Sequence, residues 1–340
     1  MYFRFSFFLF FLCGLNSCNT DRLLIPPPST KIELDVIRIE QEFEKSNTLP
    51  LMQQTHFRLT KDIPELYAYY LGACIQAGRM EDTTIQERLL DFIEDPYMIR
   101  VNKVLNTEFS DLSEEISAIS TGFSYLTHYF ERGPIPHKIV TYNSAFSNSV
   151  VSSPTEIGIG LERYMGGDHE LIKELPEQVF FQYVKNQMDR RFLVRDVMTS
   201  WIGMHYIEEI DEDGTLAEQL IAWGKLYYLV EATLPLEGKD VILRYFPDDL
   251  DWALDNEAAF WKYLVDENFL FKRELKIARN IFSEGPFTPG LPIEDKAPPR
   301  LGHFLGWRIV KNFMNQSKHI SVEELVHTDY KKILKTYKID

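Results

Sequence analysis

The sequence predicts an α+β fold, predominantly helical, in which a small sheet interrupts a succession of amphipathic helices. Three observations carry this expectation. Apolar residues recur at three- and four-residue intervals over most of the chain. Two short segments, His137–Tyr142 and Thr155–Leu161, change to β-branched or alternating apolar residues bounded by SNS and SSP turns. The composition, 45% apolar and 14% aromatic over 340 residues, supplies a core large enough for one big domain and excludes a disordered or coiled-coil chain. A formal net charge of −15 opposes adsorption to polyanions, so no nucleic-acid partner is expected.

The elements follow in chain order. MYFRFSFFLFFLCGLNSC places a single Arg4 before an apolar run, Phe5 to Leu15, that is too short for a permanent membrane span but fits the core of an export signal. Leu15-Asn16-Ser17-Cys18 resembles a bacterial lipobox, which makes residues 1–17 a removable signal and Cys18 the lipid-bearing first residue. The covalent lipid on Cys18 is the only prosthetic group expected; no other cofactor is. Residues 18–31 contain Pro26, Pro27 and Pro28 and read as an extended tether between anchor and body. The cysteines at 13, 18 and 74 form no CxxC pair, and Cys74 is left as a lone, inert thiol.

In the region 32–133 the spacing predicts helices over Ile32–Lys45, Ile63–Ala77, Thr84–Ile93 and Leu112–Phe130. The region 134–340 packs with it as one globular unit and opens with the two strands. In the second, Ile157, Ile159 and Leu161 share one face, leaving Gly158 and Gly160 on the other with Glu156 and Glu162. A strand bare on one face lets another backbone come close. Helical spacing returns over Pro176–Asn186, Phe192–Glu208, Leu216–Glu231, Pro247–Asp266 and Glu267–Phe282. A Pro/Gly-rich loop over 284–299 precedes a helix Arg300–Met314, and Ser321 with Glu324 has capping-box spacing for a last short helix.

Motifs for common chemistries are missing. Eight histidines give no HxxxH pair, and no GxSxG, GxGxxG or GxxxxGK[ST] occurs. His205 with Glu208 or Glu209 has metal-compatible spacing, and also the look of a solvated helix end. The acidic stretches Glu208–Asp213 and Asp248–Glu257 lack the glycine and glutamate of a calcium loop. Aromatics over Trp223–Leu229 and Trp307–Met314 suit a core, with a surface sugar platform as the alternative.

A lipobox, a helical amino-terminal part, the strand EIGIGLERYMGGD at 156–168, the helix RRFLVRDVMTSWI at 190–202 and the late PPRLGHFLGWRIVKNFM at 298–314, in that order, together resemble the gliding-motility lipoprotein GldB family. That family in turn is similar to zincin-like putative metallopeptidases, which implies a zincin-like core. Carried over residue by residue, the resemblance puts Arg195 at the first metal histidine, Asp196 at the catalytic glutamate, Thr199 at the second histidine and Trp223 at the third ligand. A fixed cation, a hydroxyl and a donor-only indole do not make a zinc site. The resemblance therefore implies a non-catalytic scaffold, anchored in the cell envelope and facing the periplasm, with other envelope proteins of the gliding machinery as partners. It also implies that the edge strand beside the former site, Glu156, Gly158, Gly160 and Glu162, contacts an extended peptide; a strand covered by a helix is the alternative. Two further readings stand beside this one: a metallopeptidase with unconventional ligands such as His169, His205 or nearby acids, and a surface glycan-binding lipoprotein.

Overall fold

The computed structural model describes residues 21–207, 210–273, 275–292 and 297–339. Cys18 and the lipobox lie outside the described residues, as do Glu208 and Glu209. Helices dominate, and four strands form one sheet of order β1 (Asp35–Arg38), β2 (Lys138–Tyr142), β4 (Glu156–Gly160), β3 (Val150–Ser152). β1, β2 and β4 run parallel, with Asp35 opposite Lys138 and Lys138 opposite Glu156; β3 is antiparallel to β4, with Val151 opposite Gly158. The expected strands at 137–142 and 155–161 are therefore present.

The first expected helix is divided. Residues 35–38 form β1, and only Ile39–Lys45 is helical. The run Ile-Glu-Leu-Asp-Val-Ile-Arg carries enough β-branched and alternating apolar residues to pair with β2 once that strand is available. Two helices without a strong sequence signal appear as well: Leu49–Asp62, with a proline at its start, and Pro96–Glu108, capped by the Asp95 carboxylate accepting from the amides of Tyr97 and Met98. The Ser113–Tyr129 and Leu216–Thr233 helices match expectation, the latter closed by a Thr215–Glu218 capping box. The Ser321–Glu324 box is also formed.

The sheet separates two cores. Ile139, Ile157 and Ile159 face the larger one, built mainly from the helices after residue 100. Val140 and Tyr142 face a second, made with Ile39, Phe43, Met52, Leu59, Leu66, Tyr70 and Leu89. Period-two alternation sends neighbouring residues of one strand into different cores.

That arrangement overturns the expected contact strand. β4 is an inner strand, paired on one side to β2 and on the other to β3, and all five of its residues are buried. Both of its backbone ladders are taken, so no peptide can add to it. The glycine face is filled by the chain itself: a Cβ on Gly158 would meet the Tyr142 hydroxyl at 2.5 Å, and one on Gly160 the Asn148 carbonyl at 2.2 Å. Glu156 accepts from the Ser153 hydroxyl, and Glu162 has left the strand for the turn Leu161–Tyr164. The edges of this sheet are β1 and β3.

The expected tether is likewise laid on the body over its described part. Leu23 is buried, the Tyr125 hydroxyl donates to the Ile25 carbonyl at 3.3 Å, and the Ser120 hydroxyl donates to the carbonyl of Ile32.

The Leu216–Thr233 and Leu301–Gln316 helices cross in close contact at Gly224 and Gly306. A Cβ on Gly306 would stand 2.1 Å from the Leu220 carbonyl oxygen, and one on Gly224 would stand 2.2 Å from the Gly306 carbonyl oxygen. Gly302 serves a different neighbour, the ring of Phe282. The small residues of the late helix are thus used for packing, as their spacing suggests.

Candidate functional site

The four positions that the resemblance singles out lie on two neighbouring helices. Arg195, Asp196 and Thr199 belong to Leu193–His205, and Trp223 to Leu216–Thr233. Arg195 and Asp196 are 5% and 6% exposed, deep enough that each needs a partner. Arg195 Nε donates to the Ile242 carbonyl at 2.8 Å, its Nη1 to Asp196 Oδ1 at 2.7 Å, and its guanidinium lies 5.1 Å from the ring centroid of Tyr227. Burial disfavours the charge, but Tyr227 and Asp196 more than offset it, and Arg195 stays protonated.

Asp196 is the anionic centre of this cluster. Its Oδ2 accepts from the Tyr164 hydroxyl at 3.0 Å and pairs with Arg244 Nη1 at 3.0 Å. Arg244 also donates through Nη2 to the Gln187 carbonyl at 2.9 Å, and Arg300 donates to the Arg244 carbonyl. Both Arg244 and Arg300 have positive φ, 56° and 58°, a strained backbone for residues with a Cβ. Thr199 turns back on its own helix, donating to the Arg195 carbonyl at 2.8 Å.

Trp223 reaches the cluster through His303. The two rings lie 4.1 Å apart, and His303 Nδ1 is 3.2 Å from the Tyr227 hydroxyl. His303 sits between the two glycines of the late helix, where the pattern GHFLG gave packing but no role for the histidine. Three buried nitrogens here have no hydrogen-bond partner among the described residues: Arg195 Nη2, Arg300 Nε and His303 Nε2.

The arrangement does not fit zinc. The position of the first histidine holds a guanidinium already bonded to a carbonyl and a carboxylate, and Thr199 and Trp223 are engaged elsewhere. Among the described residues no group of three His, Cys, Asp or Glu is placed to hold a metal ion. His169 and His205 of the unconventional-ligand reading make separate contacts, and the acids beside His205, Glu208 and Glu209, lie outside the described residues. His169 accepts from the Leu171 amide at a helix start, and His205 stacks 4.0 Å from Trp201 with Nε2 3.4 Å from the Ser153 carbonyl. Tyr227, Tyr228 and Trp307, candidates for a sugar platform, are buried.

Glu162 is a second buried carboxylate, fully covered. Its Oε1 accepts from the backbone amides of Ser144 and Phe146, both at 2.9 Å, and from the Ser144 hydroxyl. Ala145 and Phe146 both take positive φ, which aims those amides at one point. Burial raises the Glu162 pKa, against the hydrogen bonds from this loop.

A model of the gliding motility protein GldB family matches residues 26–339. The chain belongs to this family. No curated protein and no solved structure matches it. Membership in this family makes the chain a gliding-motility-related protein, and within the matched span lie both the buried Arg195–Asp196 cluster and the glycine crossing. No helix among the described residues is long and apolar enough to cross a membrane.

The histidine in this site sets a pH dependence. Burial pushes the His303 pKa well below its ordinary value, and the neighbouring Arg300 and Arg195 push it the same way. In the unfolded chain the imidazole takes up a proton near pH 6.5, whereas the folded chain does not. Stability from this group is therefore present above that pH and is lost as pH falls below it, by up to about 1.4 kcal/mol per pH unit. The raised pKa of Glu162 acts in the opposite sense, stabilising the fold on acidification towards its unfolded value. Denaturant unfolding of the parent and of His303→Gln between neutral and mildly acidic pH separates the two: the variant should show a shallower loss on acidification, and parallel curves would exclude the assignment.

Proposed function

We propose that the chain is a lipid-anchored cell-envelope component that serves the gliding apparatus as a non-catalytic, protein-binding scaffold facing the periplasm. Family membership supports the role in gliding. The export signal and lipobox-like Leu15–Cys18 support the anchor, with Cys18 as the acylated residue. The observation that carries the non-catalytic part is Arg195: where the resemblance implies a metal ligand, a buried guanidinium is locked to Ile242 and Asp196. A permanent cation at that point repels Zn²⁺ and offers it no lone pair. The aspartate beside it is tied up by Arg195, Tyr164 and Arg244, which removes it as a general base.

Two measurements test the reading. Cys18→Ser should leave an unprocessed or detached protein on membrane fractionation and abolish gliding in cells dependent on the variant; unaltered fractionation would refute the anchor. Elemental analysis of the purified chain should find no stoichiometric zinc. Bound zinc, lost together with a peptidase activity, would replace the scaffold with an enzyme. Crosslinking in cells through an affinity-tagged chain should then recover envelope proteins of the gliding machinery.

A further inference from the structure

The first described residues are fastened to the late Leu301–Gln316 helix and the turn that follows it. Arg22 donates through Nη1 to the Met314 carbonyl at 2.9 Å and through Nη2 to the Ile320 carbonyl at 2.8 Å. These oxygens belong to the end of the Leu301–Gln316 helix and the turn after it, where carbonyls have no helical partner. Asp21 pairs with Lys311 at 3.2 Å, and Lys311 also bonds the fully buried Glu231. Glu231 is held in turn by Lys239 at 2.7 Å and by the Trp307 indole at 2.6 Å. Leu23, 2% exposed, closes the clamp from the apolar side.

Only two residues lie between Cys18 and Asp21, so the three Cα–Cα steps from one to the other span no more than about 11 Å. An anchor joined to a flexible tether would let the body tumble above the bilayer. An anchor this close to a fixed point holds one face of the body to it.

We propose that the clamp turns the anchor into an orienting device, so that the end of the Leu301–Gln316 helix and the turn at 317–320 lie against phospholipid head groups. Leu24, 57% exposed immediately after the clamped residues, and the exposed Lys318 are the side chains that meet this surface. An apolar side chain and a long-stemmed cation suit the head-group zone, where one enters the acyl boundary and the other reaches the phosphates. The helices that cover the second core, across the sheet from the core that holds Leu23, then face away from the bilayer and towards envelope partners. This inference rests on acylation at Cys18 and goes beyond it, since a lipid alone does not fix a pose.

The test uses the full processed, acylated chain in vesicles of mixed zwitterionic and anionic phospholipid carrying a head-group spin label. A fluorophore is placed at His319→Cys, exposed beside Lys318, or, across the sheet in the second core's loop, at Glu81→Cys; Cys74 is buried and stays unlabelled. Quenching should be several-fold stronger at 319 than at 81. An insertion of about ten Gly/Ser residues between Thr20 and Asp21, which keeps both anchor and clamp but lengthens the joint, should bring the two sites towards equality. Arg22→Ala should do the same by opening the clamp. Equal quenching in the unmodified chain, with the protein floating with the vesicles, would overturn the orientation and leave the anchor standing. A difference that survives both the insertion and Arg22→Ala would show that the clamp does not set the pose. Failure to float with the vesicles would overturn the anchor and the orientation together.

Discussion

Gly306→Leu is expected to prevent folding, and Gly306→Ala to destabilise the chain by about 3 kcal/mol or somewhat more. The first added carbon would stand 2.1 Å from the Leu220 carbonyl oxygen and 3.1 Å from the Gly224 amide nitrogen, and both are backbone atoms inside a helix. No rotamer change relieves such a clash; the two helices must move apart. That separation would loosen much around it, because Trp223, Tyr227 and Glu231 on one helix bond or stack with His303 and Trp307 on the other. Gly203→Ala is the matching control. A Cβ there meets nothing nearer than Leu226 at 3.9 Å, so the exchange should be neutral or gain up to about 1 kcal/mol from helix propensity. Urea unfolding followed by tryptophan fluorescence measures both. Equal stabilities for Gly306→Ala and Gly203→Ala would mean that the crossing has more room than the geometry shows.

Asp196→Ala should remove about 3–5 kcal/mol, the second large effect. The carboxylate holds Arg195 at 2.7 Å and Arg244 at 3.0 Å and accepts from Tyr164, so its loss leaves two cations short of an anion in a place where Arg300 adds a third. Desolvated charge without a counter-charge is the expensive condition; a pair replaced whole by apolar groups is often tolerated. Combining Asp196→Ala with Arg195→Met should therefore be less harmful than the two single losses added together. The double-mutant cycle, read from unfolding midpoints, gives that coupling directly. Strict additivity would show that Arg195 is balanced by Tyr227 and the Ile242 carbonyl without Asp196.

Much of the fold was legible because local signals agreed with the global arrangement. The Thr215 and Ser321 capping boxes, Pro64 at a helix start and the change to β-branched residues at 138–142 all mark elements that formed. β1 was not legible, since a four-residue edge strand in a stretch with helical spacing depends on a partner about one hundred residues away. β4 was found as a strand but placed at the edge, because pairing order is not encoded in the strand itself. Its glycines announced a close neighbour correctly; that the neighbours were Tyr142 and Asn148 of the same chain lay in the topology. Arg195 and Asp196 stood out only through resemblance; Arg244, which pairs with Asp196, and Arg300, which donates to the Arg244 carbonyl, come from segments with no motif and sit at two left-handed backbone positions. His303 was hidden by its glycine neighbours, which explained the helix without it.

The fastening of Arg22 has a kinetic consequence. Its acceptors are 292 and 298 residues further along the chain. A polypeptide that emerges amino-terminus first cannot close this contact until residues 301–320 have been made and folded, and closing so long a loop comes late on entropic grounds. Residues 21–23 are thus late to find their place, and their docking reports that the Leu301–Gln316 helix and the turn after it are already in position. Protection of the Leu23 amide from hydrogen exchange, followed during refolding, would serve as a clock for that final event.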